Sequence, residues 1–146
     1  MTIVHWIHAI AGALWAGAAG AFAIAAAALP GRSARDGFAM RVAPRLSALG
    51  AAAAAILVGS GIANLISAAR IRDFQFAPEF VGVLAAKAAL FAAMVALLIA
   101  GSRPVLRRRL DVSEESRGAA RLMRINGAIA AMGVIALGLG VWLMGS

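Results

Sequence analysis

Residues 3–29 read IVHWIHAIAGALWAGAAGAFAIAAAAL, a run with no Asp, Glu, Lys or Arg and two histidines near its start. About 20 apolar residues in helical form cross the roughly 30 Å hydrocarbon core of a bilayer. This run is long enough, and three more follow at 44–69, 81–101 and 125–145. In lipid every backbone polar group must find its partner inside the segment, so runs of this length read as helices. The chain is therefore expected to be all-α and polytopic: a single transmembrane domain over 1–146, folded as a four-transmembrane-helix bundle.

Composition agrees. Of 146 residues, 63% are apolar and only 14% charged, outside the usual range for soluble domains. That length leaves no room for a soluble catalytic domain beside the bundle. The chain has no cysteine, which excludes disulfides, thiolate metal sites and thiol redox chemistry. The first run ends in small residues before Pro30, as a signal peptide does. However, it lacks a basic n-region and exceeds an h-region of about 7–15 residues, so it reads as a retained helix. No paired carboxylates, Ser-His-Asp set or Gly-rich phosphate loop is present to support a hydrolase.

The net charge of +8 is a matter of topology. Arg32, Arg35, Arg41 and Arg45 follow the first run, and Arg103, Arg107, Arg108, Arg109, Arg117, Arg121 and Arg124 follow the third. The connection between the second and third runs balances Arg70 and Arg72 with Asp73 and Glu79. The positive-inside rule makes the two Arg-rich connections cytoplasmic and puts both termini outside. Attraction to anionic lipid accounts for the arginines, and no nucleic-acid partner is expected.

Helix ends are marked too. Pro30 and Gly31 end the first helix, Pro44 fits the first turn of the second, and Pro104 stops the third. Asp111 and Glu114 have capping-box spacing. The fourth helix is thus expected over about 112–145, with a cytoplasmic amphipathic extension at its start.

Polar residues inside lipid need a reason. At about 100° per residue, His5, His8, Gly12, Trp15 and Ala19 share an arc of roughly 80°, and Trp6 points the other way as an interfacial residue. Ser60, Asn64 and Ser67 form a stripe on the second helix, and Lys87 is the only lysine. Counting about 1.5 Å per residue puts His8, Asn64 and Lys87 at one depth, roughly 7–9 Å inside the outer face. Gly17, Gly20, Gly59, Gly61, Gly138 and Gly140 let helices approach closely or make room for a flat cofactor.

These positions also carry a resemblance. His8, Trp15 and Gly17 resemble the first-helix signature of the copper-resistance protein D (CopD) family. Ser60-Gly61-Ile62-Ala63-Asn64 is similar to the end of that family's next helix. Lys87 with Ala88-Ala89-Leu90-Phe91, closing at Arg103, resembles the lysine-led helix after it. His8 and Lys87 also resemble positions in the HemJ-type protoporphyrinogen oxidases, although Ala85 stands where those usually carry a histidine. The copper-resistance family is the nearer match.

The resemblance implies a protein of the bacterial inner membrane that moves copper or holds it there. His5 and His8, spaced i and i+3, are candidate ligands, and Met144 adds a soft thioether. Lys87, Asn64, Ser60, Trp15, Gly12, Gly17 and Gly61 would line the site. The alternative is a b-type haem with His8 as axial ligand and Lys87 at a propionate or the sixth position, which would allow a haem-dependent membrane oxidoreductase. A third reading is an accessory subunit without cofactor. No catalytic residue is assigned. The bilayer is the expected partner, with a homo-oligomer or a larger membrane complex on the small-residue faces.

Overall fold

A computed structural model of the chain describes residues 3–71, 75–107 and 115–145, with side chains over 3–71, 75–102 and 120–142. Four helices follow in order: α1 (Ile3–Ala28), α2 (Arg32–Ile71), α3 (Pro78–Arg107) and α4 (Glu115–Gly145). All four are long and apolar enough to cross a membrane, and no strand occurs among the described residues. The Met144 side chain and the expected capping box at Asp111 and Glu114 lie outside the described residues.

Chain reversal after α1 follows from local chemistry. Pro30 has no backbone donor to continue a helix. Gly31 then takes φ +74°, a left-handed value open to glycine without steric cost. The carbonyls orphaned at the end of α1 are met from the next helix. Arg35 donates from Nε to the Leu29 carbonyl at 2.9 Å and from an Nη to the Ala27 carbonyl at 3.3 Å.

Two helix boundaries depart from expectation. α2 begins at Arg32 and carries Pro44 in its interior, so its 40 residues extend about 60 Å, well past a bilayer core. Phe38, Ala39, Val42, Ala43 and Leu46 recur at helical spacing and pack with Phe22 and Leu122, while Arg32, Arg41 and Arg45 face outward. That apolar stripe holds the N-terminal extension of α2 helical, and Phe38 stacks on Phe22 at 5.7 Å between ring centres. α3 likewise runs through Pro104 to Arg107. A proline removes one backbone hydrogen bond, and the helix can continue past it.

The short connections make neighbouring helices antiparallel. α1 packs on α2 and α4, α3 packs on the same two, and α2 touches α4 across the middle. The backbones of α1 and α3 face each other on the other diagonal without approaching. Small residues set the closeness, since Ala11, Ala16, Ala19 and Ala26 are all buried on one face of α1. Lipid tails supply no hydrophobic drive between helices, so such close contact is what holds them.

The tightest junction is Gly133 of α4 against Ala16 of α1, where an added Cβ would lie 2.5 Å from that of Ala16. At mid-bundle Trp15, Ala19, Ala53, Met94 and Ile129 form the core. Ile10, Leu14, Ile24, Ile62 and Val134 point outward and are more than half exposed. So apolar an exterior belongs in a bilayer.

Candidate functional site

The site builds up from His8. Helix geometry places it two turns above Trp15 on the inward face of α1, and the ring meets α2 edge-on. Its Nδ1 lies 2.9 Å from Ser60 Oγ, and a Cβ added at Gly61 would meet its Cε1 at 3.3 Å. Glycine is thus what admits the imidazole beside α2.

Ser60 has one hydroxyl proton, and its Oγ lies 2.6 Å from the Ile56 carbonyl and 3.5 Å from that of Leu57. A hydroxyl inside a helix commonly gives its proton to its own backbone. With that proton on the Ile56 carbonyl, the contact with His8 is one in which the ring donates from Nδ1, and Nε2 is then the acceptor nitrogen of the neutral imidazole.

Lys87 is on α3, the helix diagonal to α1. It is partly buried on α3, and its Nζ lies 3.0 Å from the position a Cβ would take at Gly140 of α4. It makes no hydrogen bond or ion pair with a described residue. His5 lies one turn above His8 on α1 and is also partly buried.

The floor of this space is aromatic. Phe91 lies one turn below Lys87 on α3 and meets Trp15 edge-on, ring centres 6.1 Å apart. Trp15 is 2% exposed, Met94 is buried with it, and its Nε1 reaches 3.0 Å from the Cβ position of Gly50. Aromatic edge contact adds about 0.5–1.5 kcal/mol beyond burial. Beneath this layer a small cavity of about 20 Å³ is lined by Ser47, Leu98, Asn126 and Ile129 among others. Apolar packing thus separates the polar group at one end of the bundle from that cavity.

Of the residues the sequence singled out, Ser60 and Gly61 meet His8, whereas Lys87 rests against Gly140 of α4. Asn64 lies on the same helix as Ser60 but bonds to none of them. Gly12 meets Leu57 and Leu137 and serves packing, while a Cβ at Gly17 would meet nothing within 4 Å. Trp15 contributes as floor. Two contributors lay outside the sequence reading of the site. Phe91 was signalled by its i+4 spacing from Lys87, and Gly140 only by a depth close to that of Lys87.

No group of three or more His, Cys, Asp or Glu side chains converges among the described residues. Compared with known proteins, the chain matches no protein-family model, no curated protein and no solved structure.

Proposed function

We propose that this protein handles copper at the outer side of a bacterial inner membrane, with His8 as the leading ligand. The observation that carries the reading is the fixed ring: Ser60 holds Nδ1 and leaves the Nε2 lone pair for a metal. Such an outer-shell hydrogen bond orients a ligand and raises its basicity. Imidazole suits copper, and His5 supplies a second one on the same helix face. The arginine distribution supports reading this end of the bundle as the outer one. The Trp15–Phe91 floor closes the way inward, so the geometry favours holding and presenting copper over conducting it.

One observation also favours a b-type haem. The iron of such a group would need one imidazole from the protein, which His8 could supply, and the Lys87 ammonium would suit a carboxylate edge. Among the described residues no histidine on a facing helix supplies a second. When bound, the group would supply one-electron chemistry, with His8 holding it and Lys87 orienting its carboxylate edge.

The test is an absorption spectrum with copper analysis of detergent-purified wild type and His8→Ala, folding being checked by circular dichroism. Stoichiometric copper lost in His8→Ala, with no Soret band, is expected. A reducible Soret band lost in His8→Ala would replace copper by haem. Neither signal would leave a silent subunit.

A further inference from the structure

Three serines in the helices give their hydroxyl proton to their own backbone: Ser60 to the Ile56 carbonyl, Ser67 to that of Ala63 and Ser102 to that of Ile99. Ser47 differs. It is half-buried on α2, 13 residues before Ser60 and about 20 Å from it along the axis. Its hydroxyl bonds to no described residue.

Asn126 of α4 is left incomplete in the same way. Its side chain is only 8% exposed, and one Nδ2 proton goes to the Leu122 carbonyl at 2.9 Å. An amide side chain has two donor protons and an acceptor oxygen. Oδ1 and the second proton stay without a partner among the described residues, and Asn126 does not bond to Ser47. Every fully enclosed side-chain nitrogen and oxygen among the described residues does have a partner. The free positions of Ser47 and Asn126 therefore border open space. The space that both line is the cavity of about 20 Å³ between α2, α3 and α4.

Size and chemistry select its occupant. A water needs about 10–15 Å³ of such room and at least two polar partners, so the cavity takes one molecule and not two. Apart from Ser47 and Asn126 its wall is Ala, Gly, Leu and Ile. An apolar occupant would leave both polar groups unpaired in a low-dielectric interior, which is costly. A metal ion would find no carboxylate or imidazole there.

We propose that this cavity binds one ordered water that bridges Ser47 of α2 to Asn126 of α4. The water gives one proton to Asn126 Oδ1 and shares a second hydrogen bond with the Ser47 hydroxyl. Bridges of this kind are nearly as favourable in enthalpy as direct hydrogen bonds. Between helices that no hydrophobic force draws together, the water supplies polar adhesion at the end of the bundle away from His8. The bridge goes beyond the copper reading and does not depend on it, since the apolar core around Trp15 lies between the two places.

Gly101 of α3 lines the same cavity, and a Cβ there would meet Ile125 and Leu122, two more of its lining residues, at 3.5–3.7 Å. Those are ordinary contacts, so a methyl group at this position takes up room in the cavity without forcing the helices apart.

The test is dipolar transfer from water to side-chain amides, read by NMR on protein carrying isotope-labelled asparagine in detergent. Comparison of laboratory-frame and rotating-frame spectra removes chemical exchange. The chain has two asparagines, and Asn64→Gln identifies the signals of Asn126. Wild type is expected to show transfer from a water that tumbles with the protein, and Ser47→Ala and Gly101→Ala are expected to lose it. Gly101→Ala should also unfold about 3 °C earlier, because the lost bridge outweighs the gain in helix propensity. A wild-type spectrum without such a water overturns the proposal. So does a water that survives Ser47→Ala, which Asn126 would then hold alone. A Gly101→Ala midpoint that holds or rises overturns it as well, since that is what a methyl group filling a dry cavity does. Gly101→Ala removes no polar group, so it decides the matter even where Ser47→Ala does not fold. None of these outcomes bears on copper at His8.

Discussion

Gly133→Ala tests the packing that positions everything else. The added Cβ would stand 2.5 Å from the Cβ of Ala16 and 3.5 Å from its Cα, with Met94 Cε at 3.6 Å. Carbon atoms rest at about 3.5–4.0 Å, so more than 1 Å must be found. Ala16 has no side chain to rotate away, so α1 and α4 must separate. Overpacking of this kind costs about 1–3 kcal/mol. Replacing glycine inside a helix returns roughly 0.5–1 kcal/mol, which leaves a net loss of about 1–2 kcal/mol. For a chain of this size that lowers the thermal midpoint by about 3–6 °C.

Unfolding in detergent, followed by circular dichroism, reads the shift. The control is Gly59→Ala, where a Cβ meets nothing within 4 Å and the midpoint should hold or rise. Adding Ala16→Gly to Gly133→Ala should recover much of the loss, since the two sites share one contact. Equal shifts for Gly133→Ala and Gly59→Ala would refute the α1–α4 junction described above.

Other outcomes follow from single contacts. If the proposed copper site is correct, Ser60→Ala leaves the His8 ring without its anchor and should weaken copper binding about 10–100-fold in a titration against a competing chelator, while Ser60→Thr, which keeps the hydroxyl, should retain most of the affinity. Trp15→Ala removes the floor and should cost about 3–5 kcal/mol; vesicles carrying the variant should also leak cations that wild-type vesicles retain. Arg35→Ala frees the Leu29 and Ala27 carbonyls it now caps and should cost about 0.5–1.5 kcal/mol in thermal unfolding.

Some features were legible in the sequence and others were not, for reasons that can be named. The membrane-spanning cores of the four helices were readable because length and hydropathy act locally. The N-terminal extension of α2 was not, since Arg32, Arg35, Arg41 and Arg45 look like a solvated connection. The stripe of Phe38, Ala39, Val42, Ala43 and Leu46 was present between them, but its value depends on Phe22 and Leu122 arriving from other helices. Pro44 and Pro104 were read as helix limits because a proline's local penalty is visible, whereas the packing around Pro44 that outweighs it is not.

The candidate site divides the same way. Counting residues from the helix ends placed His8, Asn64 and Lys87 at one level, because rise per residue is nearly constant in any helix. Depth alone could not show that Ser60, one turn away from Asn64, would be the residue that meets His8, or that the Asn64 side chain would bond to none of the described residues. What counting cannot supply is rotation about each helix axis and the choice of neighbours. These arise from how closely small residues let helices approach, as at Gly133 and Ala16, and that is a property of pairs of surfaces.

By itself the sequence determined a four-helix membrane protein, because length and hydropathy act along one chain. Tertiary structure alone decided that α1 and α3 stand on the open diagonal, that Gly140 seats the lysine and Gly61 the imidazole, and that Trp15 with Phe91 forms a floor. Depth is set along one chain, whereas facing is set between chain segments that only packing brings together.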